Sequence, residues 1–258
     1  TALGYRLARP GGWVADNLWG QRKAVYVGGW IIAAGHFSMA VPTTYTFYLG
    51  LVLIVMGTGL LKPNVSTVVA DLYPQGGAQR DAGFSVFYMG INLGAVFGPL
   101  ICSFLGEGYN WHLGFSAAGF GMVLGLVQFK MGGKYLGDAG HLRTSDTEAE
   151  LAAKARKFFG IFFGTLAALV LFGWLVAQGT ISLTLDDIAA LLGRSILLIV
   201  GVYFAYLLVL GGHTGEEKKR LVVILWLFVL AAIFWSGFEQ AGSSLNLFAQ
   251  DLTNRNIL

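Results

Sequence analysis

Long apolar runs organise this chain. Short polar stretches separate seven of them, and each run is close to the ~20 residues that a helix needs to cross the hydrocarbon core of a bilayer. Their polarity does not alternate with a period of two, so helices rather than barrel strands are expected. The pattern predicts an all-α, polytopic transmembrane helix bundle with about seven membrane helices. The runs cover residues 24–42, 45–70, 84–106, 113–130, 158–178, 195–212 and 221–249.

Lysine and arginine are distributed unevenly between the polar stretches. If the seven segments alternate in direction, fourteen of the 17 basic residues fall on one side and only Arg194 and Arg255 on the other. Because cytoplasmic loops carry the excess of positive charge, the first side is the cytoplasmic one. The chain is therefore predicted to start inside and to end outside, and the remaining basic residue, Lys62, lies within a segment.

Two of the polar connections are long enough to hold a short helix. In the longest cytoplasmic connection, residues 131–157, Thr147 and Glu150 have the spacing of a capping box. They predict a short amphipathic helix along the membrane surface. The outer connection, residues 179–194, has two aspartates ahead of an apolar stretch, as in the first turn of another short helix.

The composition is that of an integral membrane protein. Hydrophobic residues make up 55% of the 258 residues and charged residues only 12%, with a mean hydropathy of +0.65, whereas soluble domains carry roughly 25% charged residues. The 37 glycines suit helices that pack closely in lipid. The single cysteine excludes an internal disulfide. The net charge of +3 is no signal for nucleic acid, and neither a metal nor a cofactor is predicted.

One cation lies inside an apolar run. Lys62 is followed by Pro63 and by further apolar sequence, and the next charged residue is Asp71. A lysine at that depth costs about 2.5–3.5 kcal/mol on insertion scales, so it should face a water-filled cavity or a partner. The alternative is a lysine near a helix end whose ammonium reaches the headgroups.

Two other polar residues share a helix face in the third segment. Tyr88 and Asn92 are four residues apart, beside a stripe of glycines at positions 90, 94 and 98 that predicts close helix packing. An amide in hydrocarbon needs partners. Asn92 is therefore either a structural hydrogen bond between helices or a group that holds a polar solute in a central cavity.

The seventh segment contains a single acidic residue, Glu239, one turn after Trp235 and near the middle of the run. A carboxylate at this depth should be paired with a cation, protonated, or alternating between the two. Lys62 is the candidate partner. Glu239 is then either one half of a permanent ion pair or a proton-responsive site.

The first cytoplasmic connection reads GGWVADNLWGQRK, residues 11–23. Gly12 and Gly20 permit tight turns, and Asp16 can cap a helix or pair with a basic residue. On its own this motif is also compatible with an ordinary turn.

Four stretches together resemble the proton-coupled oligopeptide transporter family of the major facilitator superfamily. They are GGWVADNLWG, GTGLLKPNVS, FYMGINLGA and FWSGFEQAGSSLNLFA, and the resemblance covers nearly all of residues 11–250. It implies helices 3 to 6 of that fold, the extra helix pair of bacterial members, and helix 7. It also implies that Glu239 couples protons and that the substrate is bound by Lys62, Tyr88, Asn92, Trp235 and Glu239.

The same resemblance divides the chain. It predicts an incomplete N-terminal bundle half in residues 1–130, a cytoplasmic linker in 131–157, the extra transmembrane helix pair in 158–212 and the start of the C-terminal half in 213–258. The paired glutamates and arginine of the family's first helix are missing, as is everything beyond helix 7. The chain is therefore interpreted as partial.

The implied function is import of di- and tripeptides together with protons, by alternating access, in a multi-pass protein of the bacterial inner membrane. Membrane lipid is the other expected partner. The alternatives are a related major facilitator transporter of another small polar solute and a membrane sensor that does not transport. An enzyme is disfavoured, because the sequence has no HExxH zinc motif and no serine or aspartate pair with a plausible base in its apolar segments.

Overall fold

Regular structure in the described part of the chain, residues 9–180, 184–242 and 244–253 of this computed structural model, is entirely helical. This confirms the all-α prediction; Arg255 of the topology argument lies outside these residues. An N-terminal segment, residues 9–19, is helical and ends in a π-helical turn. The later helices are α1 (Gln21–Ala40), α2 (Thr44–Asp71), α3 (Gly77–Gly108), α4 (Trp111–Met131), α5 (Glu148–Ala177), α6 (Leu185–Val209), α7 (Gly215–Phe238) and α8 (Ser244–Asp251).

The helices α2 to α7 are long and apolar enough to cross a membrane. The first predicted segment also forms a helix, α1, but the polar and charged residues at its beginning and His36 make it less apolar than those six. The residues divide into two compact units, Thr1–Ala167 and Ala168–Leu258. The first unit holds α1 to α4 and α5 as far as Ala167, and the second holds the end of α5 and α6 to α8.

The prediction of two separate short helices in the long connections is wrong. The capping box at the start of α5 is present, with the backbone N–H of Thr147 donating to Glu150 Oε2 at 2.8 Å, but the helix runs on to Ala177. In the same way Thr184 and Asp187 cap α6, and hydrogen bonds from Thr184 hold the pKa of Asp187 below its usual value. Because no proline follows either cap, each helix continues into the next apolar run.

Glycines bring the backbones of α1 and α2 into direct contact. A Cβ added to Gly28 would lie 2.8 Å from the carbonyl oxygen of Gly57, and one added to Gly57 would lie 2.5 Å from that of Gly28. Gly35 and Gly50 form a second reciprocal pair, at 2.8 and 2.6 Å. Distances below 3 Å leave no room for a side chain, so these glycines allow the two helices to pack closely.

The predicted glycine stripe of α3 is not part of this packing. A Cβ added at position 90, 94 or 98 would have no neighbour within 4 Å among the described residues. Instead, α3 meets α4 where Gly114 faces the Cys102 carbonyl oxygen, with an added Cβ at 2.6 Å. On the other side α4 packs on α1, where the rings of Phe37 and Phe120 meet edge to face at 5.2 Å.

We predict that Gly57→Ala destabilises the bundle, because its methyl group would collide with the Gly28 carbonyl of the neighbouring backbone. Overpacking of this kind costs about 1–3 kcal/mol. The measurement is thermal unfolding of the full-length protein in detergent. Gly121→Ala is the control, because a Cβ there has no neighbour within 4 Å in the described chain. Equal melting temperatures for the two variants would contradict the packing.

Candidate functional site

Lys62 lies beside a proline in the interior of α2. The helix continues through Pro63 to Asp71, although proline cannot donate to the carbonyl four residues back. The Lys62 side chain is exposed, whereas Asn64, two residues on, is 2% exposed. Two positions along a helix differ by about 200°. The cation therefore lies opposite the packed face of α2.

Tyr88 and Asn92 are brought together on α3. The Asn92 side-chain amide donates to the Tyr88 carbonyl oxygen at 2.9 Å, and the Tyr88 ring contacts those of Phe84 and Phe87 at 6.4 and 5.8 Å. Both predicted site residues are exposed, with 58% for Tyr88. That they share a cavity with Lys62 stays a prediction.

Glu239 does not lie in the middle of a helix, as the 221–249 segment predicts. The helix α7 ends at Phe238, and Glu239 begins a 3₁₀ turn that ends at Gly242, a weak helix former. Its backbone N–H donates to the Trp235 carbonyl oxygen, so the two predicted residues are still one turn apart. Both are exposed, and the Trp235 ring meets that of Phe238 edge to face at 5.1 Å.

The predicted site residues are divided between the two units. Lys62, Tyr88 and Asn92 belong to the unit Thr1–Ala167, and Trp235 and Glu239 to the unit Ala168–Leu258. That all five bind one substrate stays a prediction.

The loop motif holds a compact turn against the connection that follows α4. Asp16 Oδ1 accepts a hydrogen bond from Gln21 Nε2 at 2.8 Å. Gly20 has a φ of +77°, and a Cβ there would lie 2.6 Å from the backbone nitrogen of Leu142. Position 20 thus requires glycine for two reasons: its backbone is left-handed, and the backbone of Leu142 leaves no room for a side chain. Gly12 is not required in this way, because a Cβ at that position would have no described neighbour within 4 Å.

Arg22 joins the beginning of α1 to the same connection. Its Nη2 donates to the Gly137 carbonyl oxygen at 2.7 Å and its backbone N–H to that of Gly140 at 2.9 Å. Its Nη1 lies 3.1 Å from His141 Nε2, and because a guanidinium only donates, this imidazole nitrogen is the acceptor. Asp71, at the end of α2, accepts from the Gly140 N–H at 3.2 Å. These contacts tie together α1, α2 and the loop after α4.

Two residues of this region are not among the predicted site residues. Asn64 lies within the GTGLLKPNVS stretch, and Gly11 directly precedes Gly12, the first predicted glycine of the loop motif. Asn64 donates to the Gly11 carbonyl oxygen at 3.2 Å. The sequence signal for Asn64 is that a polar amide two residues after Lys62 must lie on the opposite face of the helix. No such signal marks Gly11.

The comparisons with known proteins agree on one family. Residues 22–257 match the POT family, PTR2. The peptide transporter YePEPT of Yersinia enterocolitica is 39% identical over 98% of this chain and 51% of its own length. A di-/tripeptide transporter of Lactococcus lactis is 32% identical over 99% of this chain and 51% of its own length. The chain thus spans about half the length of these curated relatives.

The solved structures agree with the sequence relatives. The crystal structure of a peptide transporter POT in complex with sulfate superposes with a TM-score of 0.82 at 40% identity, over 99% of this chain and 52% of that one. This confirms the predicted major facilitator fold for the part that the chain spans. Because six helices of the described residues are long and apolar enough to cross a membrane, the chain is part of a multi-pass membrane protein. It belongs to the POT family, the proton-coupled oligopeptide transporters.

Proposed function

We propose that this chain is part of a symporter that imports di- and tripeptides together with protons across a bacterial plasma membrane. The observation that carries the proposal is the similarity to YePEPT, a peptide transporter, over 98% of the chain. Peptides, protons and surrounding lipid are the proposed partners. Catalysis of a chemical reaction is not part of the proposed function, since the family consists of transporters.

In this proposal Lys62 binds the carboxylate of the peptide. Its position beside Pro63 in an apolar helix supports the role, because an intramembrane cation is expected to serve a substrate or ion pathway. A hydrogen bond to a charged group contributes about 1.5–3 kcal/mol. The membrane potential, at ~2.3 kcal/mol per charge per 100 mV, would draw the accompanying proton inward.

Asn92 and Tyr88 are proposed to bind the peptide backbone. The hydrogen bond to the Tyr88 carbonyl uses one N–H of the Asn92 amide. An amide also has a second N–H and a carbonyl oxygen, which can pair with the C=O and N–H of a peptide bond. The exposed Tyr88 hydroxyl adds a donor and an acceptor on the same face of α3.

Glu239 is proposed to carry the coupled proton. Its position where α7 gives way to a 3₁₀ turn supports this role, because the carboxyl group is held at a break in an apolar helix rather than inside it. Rocking of the two halves about a central site would then expose this group alternately to the two sides of the membrane.

The direct experiment is uptake of a labelled dipeptide by the full-length protein in liposomes with an inward proton gradient. The proposal predicts accumulation that a protonophore abolishes. If another small polar solute is the substrate, unlabelled dipeptides will not compete for its uptake. If the protein is a sensor, it will bind a dipeptide without accumulating it.

We predict that Glu239→Gln removes proton-driven accumulation but retains counterflow exchange of peptide, because the amide preserves shape and hydrogen bonding while losing the titratable proton. The measurement is uptake and counterflow side by side. Glu107→Gln, at the exposed end of α3, is the matched control and should retain both activities. Equal loss of both activities in Glu239→Gln would show a structural carboxylate and reject the coupling role.

We also predict that Lys62→Ala weakens binding of peptides with a free C-terminal carboxylate. Loss of about 1.5–3 kcal/mol corresponds to roughly a 10- to 150-fold loss of affinity. A dipeptide with an amidated C-terminus should show a much smaller change. Lys134→Ala, in the turn after α4, removes an exposed lysine and serves as the control. An equal loss for both peptides would argue against a carboxylate contact.

A further inference from the structure

The face of α2 opposite Lys62 is held to the N-terminal segment by a buried amide. Asn64 is the polar side chain that the described residues bury, with 2% exposed. Its Nδ2 donates to the Leu60 carbonyl oxygen of its own helix at 2.6 Å and to the Gly11 carbonyl oxygen of the N-terminal segment at 3.2 Å. One side chain therefore links two elements that are far apart in sequence.

The neighbouring proline explains why this link matters. Pro63 has no N–H, so it cannot donate to the Gly59 carbonyl as other helical residues would. The helical ladder of α2 is thus weakened at the turn that carries Lys62. A contact from outside the helix can then determine how this turn is oriented.

Gly11 supplies that contact. A Cβ added at Gly11 would lie 2.0 Å from the Gly59 carbonyl oxygen and 3.1 Å from the Leu60 Cα. The backbone of the N-terminal segment therefore rests on α2 at the same carbonyl that the proline leaves without its helical donor. At Gly12, one residue further, an added Cβ would have no described neighbour within 4 Å. The close contact with α2 therefore requires glycine at position 11 but not at position 12.

The geometry leads to a role for this link. We propose that Asn64 is a positioning residue for Lys62: together with Gly11 it fixes the rotation of α2 at its proline, and so the direction of the lysine side chain. Since residues 62 and 64 lie about 200° apart on the helix, anchoring the amide on one side orients the ammonium on the other. The importance of that orientation for transport rests on the proposed function of Lys62, but the orientation itself does not.

The first arm of the test reports where the side chain at position 62 points, without using peptide. In the full-length protein in liposomes, with its native cysteines replaced, Lys62→Cys is treated with a membrane-impermeant thiol reagent and the reaction rate is measured. Adding Asn64→Ala should change that rate at least severalfold. Adding Asn17→Ala should leave the rate unchanged. In the described structure the Asn17 amide, like that of Asn64, donates to the carbonyl four residues back, that of Trp13 at 2.9 Å, but it makes no bond to a second element. An unchanged rate with Asn64→Ala would overturn the proposal.

The second arm measures dipeptide uptake. Asn64→Ala and Gly11→Ala should raise KM about three- to tenfold, with a smaller effect on kcat. A loss of affinity of this size corresponds to the net free energy of about one hydrogen bond. Gly12→Ala is the control for Gly11→Ala. In a Lys62→Ala background, Asn64→Ala should raise KM no further, because the residue that it positions is gone. A further rise of the same size would show a general packing role and overturn the proposal.

The two arms separate the possible failures. If Gly11→Ala does not fold, Asn64→Ala alone decides both arms, since it removes atoms and adds none. A changed thiol rate in a protein that transports no peptide would reject the proposed function and leave the positioning role intact. An unchanged rate in an active peptide transporter would reject the positioning role and leave the function intact.

Discussion

Direct contact between helix backbones is the constraint on which the first unit depends. Lipid offers no hydrophobic drive between apolar helices, so their association depends on close packing and on hydrogen bonds that close packing allows. Here two elements approach α2 through glycine: α1, at Gly28 with Gly57 and again at Gly35 with Gly50, and the N-terminal segment, at Gly11. Because Gly11 has no side chain, its backbone lies close enough to α2 to accept the hydrogen bond from Asn64.

The same principle explains the loop motif at the beginning of α1. Gly20 permits the loop after α4 to reach the start of α1, and once it is there Arg22 and Asp71 bind it from α1 and α2. Helices α1 and α2 are thus held at one end by charged and polar groups. Along their length they are held by glycine contacts. Lys62 lies between these two regions, on the exposed side of α2.

Much of the fold could be predicted from the sequence, because apolar runs of membrane length leave helices as the expected structure. Local signals were less informative about extent. A capping box predicts the beginning of α5, and two aspartates of a first turn predict that of α6, but such signals show where a helix begins and not that it continues into the next apolar run. Glycine spacing was misleading for a similar reason. It marks a helix face that can pack closely, and only the structure shows that Gly57 does so while Gly94 has no described neighbour.

The sequence predicts those candidate site residues whose polar side chains lie in otherwise apolar runs. Lys62, Asn92 and Glu239 are such residues. Asn64 was not predicted, because the charged Lys62 two residues before it already accounts for the polarity of this stretch. Its partner, Gly11, is 53 residues away, and no local pattern indicates such a contact. The break after α7 is not evident from the sequence either, because the apolar residues on both sides of Glu239 form one continuous segment there.

Movement of protons with peptide is the central claim, and it can be observed directly. Liposomes that contain the full-length protein and an entrapped pH indicator are mixed with an unlabelled dipeptide, with no initial pH gradient and an inside-negative potential. The account predicts internal acidification that depends on the dipeptide and is absent with the free amino acids. Peptide uptake without acidification, or equal acidification by the amino acids, would contradict it.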